Sequence, residues 1–211
     1  MAKLLKKGAE ASIYLGEWFG EVAIFKIREA KSFRQAVLDA RIRGLRTLHE
    51  ASFLAEAKRL GVSTPLVYFV DRKQAEIVMQ FIPGRRMKEV IDAGEEAVLK
   101  KWCREAGRCI ARLHRGDVVH GDLTTSNFII TDDRLALIDF GLSFYSRRLE
   151  DRAVDLHLLN MVAQSAHSPY ADRIMEAVLE GYREITSRGE VDDVLKRMKD
   201  VERRGRYKRV E

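Results

Sequence analysis

His120-Gly121-Asp122-Leu123-Thr124-Thr125-Ser126-Asn127 decides the fold, together with Asp139-Phe140-Gly141, which begins seventeen residues after Asp122. An apolar pair, Val118-Val119, leads into the first motif, and a β-type run, Leu135 to Ile138, leads into the second. Phosphoryl transfer needs this division of labour. One carboxylate sits near the acceptor oxygen as base or orienter, while a carboxamide oxygen and a second carboxylate hold Mg²⁺ against the phosphates of ATP. Asp122 suits the first role, and Asn127 and Asp139 the second. Gly, Asp and Asn are also turn residues, so either motif alone reads as a turn. Both together, in this order and after β-like runs, read as a kinase-type site.

Such a site needs a lysine on an upstream strand and a glutamate on a helix to hold it. Val22-Ala23-Ile24-Phe25-Lys26 supplies the lysine, one residue later than in the usual V-A-I-K. Lys26 is expected to bridge α- and β-phosphate oxygens. Glu50, inside Arg46-Thr47-Leu48-His49-Glu50-Ala51, is the candidate for its partner, with Glu56 as rival on the same helix. The phosphate loop is irregular: G-x-G-x-x-G is absent, and Lys7-Gly8-Ala9-Glu10-Ala11-Ser12 stands in its place. Backbone N–H groups at Gly8, Ala9 and Glu10 can still form an anion nest, although Glu10 brings a negative charge close to the phosphates.

The rest of the chain supports two lobes around one cleft. Its 211 residues are enough for a real core, and three prolines with no low-complexity tract argue against a disordered or fibrous protein. Short β-rich runs at 11–15 and 21–27 flank Gly16 to Gly20, and a second hairpin, 66–70 with 76–81, turns at 71–74. Between them Leu38, Ile42, Leu45 and Leu48 recur at helical spacing, with Gly61 as a stop signal. Ile82-Pro83-Gly84 marks the lobe boundary. Beyond it the pattern is helical: Leu99, Cys103, Ala106, Ile110 and Leu113 share a face, which makes Cys103 an inert core residue. Cys109 reads the same way. Strands at 128–131 and 135–138 flank a turn at 132–133, and helices follow at 151–166, 170–185 and 191–203. The expected organisation is an N-lobe over 1–82, a helical C-lobe over 83–202 and a basic tail over 203–211.

The formal net charge is +6. Between Lys196 and Glu211 eight basic residues face three acidic ones, so most of the excess sits at that end. Arg203, Arg204, Arg206, Lys208 and Arg209, interrupted by Tyr207, suit a nucleic-acid partner such as tRNA; a solvated helix end accounts for the charge equally well. No stretch approaches the roughly 18 to 20 apolar residues of a membrane span. Two cysteines six positions apart cannot form a disulfide framework. A soluble, cytoplasmic protein with no membrane partner is expected.

The sequence resembles the small RIO-like atypical serine/threonine kinases that serve as a subunit of the KEOPS complex, which makes the threonylcarbamoyladenosine modification of tRNA. The resemblance rests on GAEA (8–11), Phe33-Arg34 with Leu38-Asp39 and Arg41, RTLHEA (46–51), STPLVYFVD (63–71), HGDLTTSN (120–127), DFGLSFYS (139–146), EDRAVDL (150–156) and RGR (204–206). It implies an α+β, bilobal protein-kinase-like fold with a small β-rich N-lobe and a shortened helical C-lobe lacking an extended activation segment. It also implies ATP hydrolysis with some autophosphorylation, a tRNA-modifying threonylcarbamoyltransferase partner on the C-lobe and a small KEOPS subunit on the N-lobe. No A-P-E follows Gly141, and Thr124 stands where serine/threonine kinases carry a lysine. Both departures speak against a general peptide kinase. Two other readings compete: a small-molecule phosphotransferase of the aminoglycoside or choline kinase type, and a non-catalytic, nucleotide-switched tRNA-binding scaffold.

Overall fold

The computed structural model describes residues 2–94 and 96–207, the side chains of 96–97 and 205–207 excepted. The N-lobe is built on β1 (Lys3–Lys7), β2 (Ala11–Trp18), β3 (Glu21–Arg28), β4 (Val67–Asp71) and β5 (Glu76–Gln80), an antiparallel sheet of order β1-β2-β3-β5-β4. Strand β2 runs three residues further than its β-rich core indicated. Gly16 continues the strand beneath the Phe25 ring, and the turn is the two-residue Phe19-Gly20, with φ of 50° and 87°. Paired positive φ values of this kind match the twist of a tight hairpin. In the second hairpin the Asp71 side chain accepts the N–H groups of Lys73 and Gln74 at 2.7 and 3.0 Å, which fixes the turn.

Helix α1 (Ala36–Arg59) crosses between the two hairpins. Its apolar spacing located the helix but not its inner face. Leu38, Leu45 and Leu48 are 50, 48 and 41% exposed, while Asp39, Thr47 and Glu50 are buried. Only the last turns, through Phe53, Leu54 and Ala57, dock on apolar contacts. The first half is held by ions: Arg43 reaches Asp39 at 2.7 Å, and Glu50 takes two cations described below.

Past Ile82-Pro83-Gly84 the chain forms β6 (Arg85–Arg86), α2 (Met87–Asp92), α3 (Glu96–Arg115), β7 (Val118–Val119), β8 (Phe128–Ile130), β9 (Leu135–Leu137) and β10 (Phe144–Tyr145). Then come α4 (Leu149–Ala166), α5 (Ala171–Ile185) and α6 (Arg188–Tyr207). Leu99, Cys103, Ala106, Ile110 and Leu113 are all at most 3% exposed, as their spacing requires. Fully burying one leucine or isoleucine stabilises by roughly 1.5–3 kcal/mol, so this face anchors the lobe. Helices α3 and α5 press together at Gly107 and Gly181, where an added methyl would collide with the Val178 and Arg104 carbonyls. Burial pushes the thiols of Cys103 and Cys109 up to about 12, which keeps both protonated and inert. Three residues, Ser146 to Arg148, join β10 to α4, so no extended activation segment intervenes. Helix α6 continues through Arg203 and Arg204 to Tyr207.

Candidate nucleotide and phosphoryl-transfer site

Between the lobes lies a cleft of about 270 Å³ lined by Ile13, Ile24, Met79, Ile82, Ile129 and Ile138, with Lys26, Glu50 and Asp139 at one end. Its apolar walls suit a flat ring, and its charged end suits phosphates. Lys26 comes from β3, paired through Ile77 to β5 and through Ile13 to β2, so the strand that carries it is held on both sides.

The ammonium of Lys26 donates to Glu50 Oε1 at 2.5 Å and to Asp139 Oδ1 at 2.8 Å. Burial pushes the Lys26 pKa down, but Glu50 and Asp139 more than offset it and hold the group above its ordinary value. For Asp139 the balance is mirrored: burial pushes the carboxyl up, and Lys26 brings it below the ordinary range. Both groups are therefore charged at neutral pH. Glu56, the rival for Lys26, pairs instead with Arg59 at 2.9 Å.

The segment that presents Asp122 is set by a network that sequence inspection did not find. Asp155 of α4, fully buried, accepts the backbone N–H groups of His120 at 2.8 Å and Gly121 at 2.9 Å. The same carboxylate lies 3.2 Å from His114 Nε2, whose other nitrogen meets the Tyr182 hydroxyl at 3.0 Å. Burial pushes the Asp155 carboxyl up, but His114 and then the His120 contacts hold it below the ordinary range. Gly121 has φ +78°, and a side chain there would meet the Leu142 carbonyl, which accounts for glycine between His120 and Asp122. His120 is buried against Phe140 and kept neutral by burial, and its Nδ1 accepts the Asp122 N–H at 3.2 Å.

Asn127 Nδ2 donates to the Asp122 carbonyl at 2.9 Å and to Asp122 Oδ2 at 3.1 Å. Spending its amide hydrogens on Asp122 directs the carboxamide oxygen of Asn127 away from that partner. Asp139 stands in a left-handed conformation, φ +66°, with its side chain 42% exposed to the cleft. A carboxamide oxygen and a carboxylate beside a phosphate-sized space fit Mg²⁺, which binds through few protein oxygens and completes its shell with phosphates and water. Among the described residues no cluster of three or more His, Cys, Asp or Glu forms a self-sufficient metal cage.

Sequence reasoning also missed Arg28. It lies two positions beyond Lys26 on β3, hence on the same face, and it is 5% exposed. Its Nη2 donates to Glu50 Oε2 at 2.7 Å, so that one buried carboxylate is shared by two cations. Gly8, Ala9 and Glu10 lie at the turn between β1 and β2, where the Gly8 N–H donates to the Ala11 carbonyl at 2.9 Å. Of the basic residues assigned to tRNA, Arg203 pairs with Asp200 and Arg204 with Glu150 on α4, both at 2.9 Å. The Arg206 side chain, Lys208 and Arg209 lie outside the described residues.

Residues 8–164 match the protein kinase domain family. The KEOPS complex subunit Bud32 of Pyrococcus abyssi is 41% identical, with 98% of this chain and 96% of that protein aligned. A probable bifunctional tRNA threonylcarbamoyladenosine biosynthesis protein of Methanococcus maripaludis is 40% identical over 97% of this chain, which spans 36% of that longer protein. In three dimensions the chain is similar to a Rio2 kinase from Chaetomium thermophilum solved with ADP/Mg²⁺ and phosphoaspartate. The TM-score is 0.55 at 13% identity, covering 92% of this chain and 69% of that one, a likeness of fold.

Proposed function

We propose, from the premise that this chain belongs to the protein kinase family and within it to the Bud32-type KEOPS subunits, that it is an Mg-ATP-dependent ATPase and atypical serine/threonine kinase supporting threonylcarbamoyladenosine modification of tRNA. One observation carries the reading: Lys26 is already seated between Glu50 and Asp139, with Asp122 and Asn127 bonded to each other nearby. Lys26 meets the α- and β-phosphates of ATP, and Glu50 keeps it in place. Mg²⁺, when bound, neutralises charge on the phosphate oxygens, and Asn127 and Asp139 are the residues that would hold it. Asp122 orients the acceptor, water or a hydroxyl. As the acceptor oxygen bonds to the γ-phosphorus, the bond to the β–γ bridging oxygen breaks and the acceptor proton passes to the Asp122 carboxylate.

Exposed apolar surface supports two protein partners. Phe19, 92% exposed, meets Trp18 edge to face, and Trp18 stacks on Phe69 across the outer N-lobe sheet. That face suits the small KEOPS subunit. Leu142, Phe144 and Tyr145, 55, 41 and 60% exposed, follow the Asp139 segment on the C-lobe and suit the threonylcarbamoyltransferase subunit. We assign tRNA contact to the basic end around Arg203, Arg204, Arg206, Lys208 and Arg209. Among the described residues no helix is long and apolar enough to cross a membrane; we place the protein in the cytoplasm.

The test is phosphate release from ATP by the purified chain, with and without tRNA and the threonylcarbamoyltransferase. Mg²⁺-dependent release that rises with both additions is expected. Nucleotide binding with no turnover under any condition would leave the switched-scaffold reading, and no nucleotide binding would remove the site altogether.

A further inference from the structure

Glu10 places a carboxylate in the loop that should face phosphate, and the structure turns that carboxylate toward α1. Its Oε1 accepts Arg46 of α1 at 2.7 Å, and its Oε2 accepts Arg28 of β3 at 3.2 Å. Arg28 also holds Glu50 at 2.7 Å, so one buried guanidinium joins the loop carboxylate to the partner of Lys26. The next residue along is fastened as well, since the Lys31 ammonium donates to the Ala9 carbonyl. Arg28 Nη2 further lies 3.1 Å from where a side chain on Gly141 would begin, which puts the guanidinium against the Asp139 segment. The loop, α1 and the segment after Asp139 thus meet at Arg28.

We infer that Glu10, gripped by Arg28 and Arg46, is a positioning residue that ties the phosphate-facing loop to α1 and couples the seat of Glu50 to nucleotide affinity. A glycine-rich loop adapts to phosphates by bending; this loop, with Gly8 as its one glycine, is instead held in place from outside. Burial pushes the Glu10 carboxyl up, but Arg46 and Arg28 together bring it below its ordinary value, so the tether is ionic at neutral pH. The inference rests on the ATP reading of the cleft. It differs from that reading in the sign of one effect. An untethered carboxylate beside phosphates repels them, and neutralising it tightens ATP binding; a tethering carboxylate, once neutralised, frees the loop and weakens binding.

The experiment measures affinity for a fluorescent Mg-ATP analogue, steady-state phosphate release, and hydrogen exchange of amides 8–12 in the nucleotide-free chain. The proteins are wild type, Glu10→Gln, Arg46→Ala, Arg46→Lys and the double Glu10→Gln/Arg46→Ala. Expected are a rise of about tenfold in Kd and KM for Glu10→Gln and Arg46→Ala, with kcat within about threefold of wild type. Exchange at 8–12 should be faster in both, Arg46→Lys should recover most of the loss, and the double variant should be no worse than Glu10→Gln alone. Unchanged or tighter nucleotide binding in Glu10→Gln, with unchanged exchange, overturns the inference, as do fully additive losses in the double variant. A wild-type chain that binds no nucleotide overturns the ATP reading instead, and the exchange data then still decide whether the tether exists.

Discussion

Asp155 Oδ2 accepts the His120 backbone N–H at 2.8 Å across 35 residues of chain, and so helix α4 sets the segment that presents Asp122. Removing that carboxylate leaves two buried N–H groups and His114 without their acceptor. Breaking a buried, charge-assisted network costs about 3–5 kcal/mol. Asp155→Ala should therefore lower the unfolding free energy read from urea titration by that amount and reduce phosphate release under conditions where the fold persists. A stability loss below about 1 kcal/mol would show that the catalytic segment holds itself.

Three groups at the site, Asp155, Asp139 and Lys26, contribute to the pH dependence of stability. Asp155 and Asp139 have pKa values depressed below their ordinary 3.8, so the stability they contribute is present above that value and lost as pH falls through the depressed values. Lys26 is raised above its ordinary 10.5, so its contribution is complete below 10.5 and lost as pH rises through the raised value. Melting temperature plotted against pH should show a plateau with an acid and an alkaline limb. Lys26→Met should flatten the alkaline limb and remove the Asp139 share of the acid limb, leaving the share carried by Asp155.

Asp139→Asn should abolish turnover and markedly weaken nucleotide binding in the presence of Mg²⁺, while nucleotide binding in EDTA changes little. Calorimetric titration with and without the metal checks this. Equal Mg-ATP affinity and turnover in the variant would take Asp139 out of the metal site.

Asp122 makes its polar contacts with Asn127 and His120 and lies outside the group around Lys26. A positioned base contributes about 10² to 10⁴ in rate. Asp122→Asn should lower kcat by an amount in that range with nucleotide affinity nearly unchanged. Single-turnover phosphate release is the measurement, and undiminished release would mean that hydrolysis owes nothing to this carboxylate.

Deleting residues 203–211 should weaken tRNA binding at low salt and flatten its salt dependence. Each phosphate contact contributes roughly 0.7 to 0.9 to the slope of log affinity against log salt, so a loss of about 2 to 3 in slope corresponds to about three contacts. Because Arg203 and Arg204 already meet Asp200 and Glu150, substituting these two alone should cost less than the whole deletion. An unchanged slope would move the RNA contact elsewhere on the chain or onto a partner.

Lys26, Asp122, Asn127 and Asp139 were legible because their residue types and order follow from the chemistry itself. Glu50 already stood ahead of its rival Glu56, but what separates the two physically is how α1 is rotated against the sheet, and the apolar spacing of Leu38, Leu45 and Leu48 marks the solvent side. Arg28 and Asp155 act on partners 22 and 35 positions away, beyond any local pattern, although strand alternation does place Arg28 beside Lys26. Strand β1 was missed for a related reason: Lys3-Leu4-Leu5-Lys6-Lys7 has neither alternation nor a buried face, and pairing with β2 makes it a strand. Lysines along such an exposed edge discourage pairing with another sheet.

The ionic seating of the first half of α1 also gives that half a response to temperature unlike that of the helical lobe. Heat-capacity change on unfolding scales with newly exposed apolar surface, about 0.45 cal/K/mol for each Å². Up to Glu50 the buried residues of α1 are Asp39, Gly44, Thr47 and Glu50, which contribute almost no such surface, whereas the interior packed from Met87 to Met198 is mainly apolar around the Asp155 network. The apolar packing of the helical lobe therefore contributes strongly to the arch of the stability curve and weakens on cooling, while the docking of the first half of α1 stays nearly level across the same range.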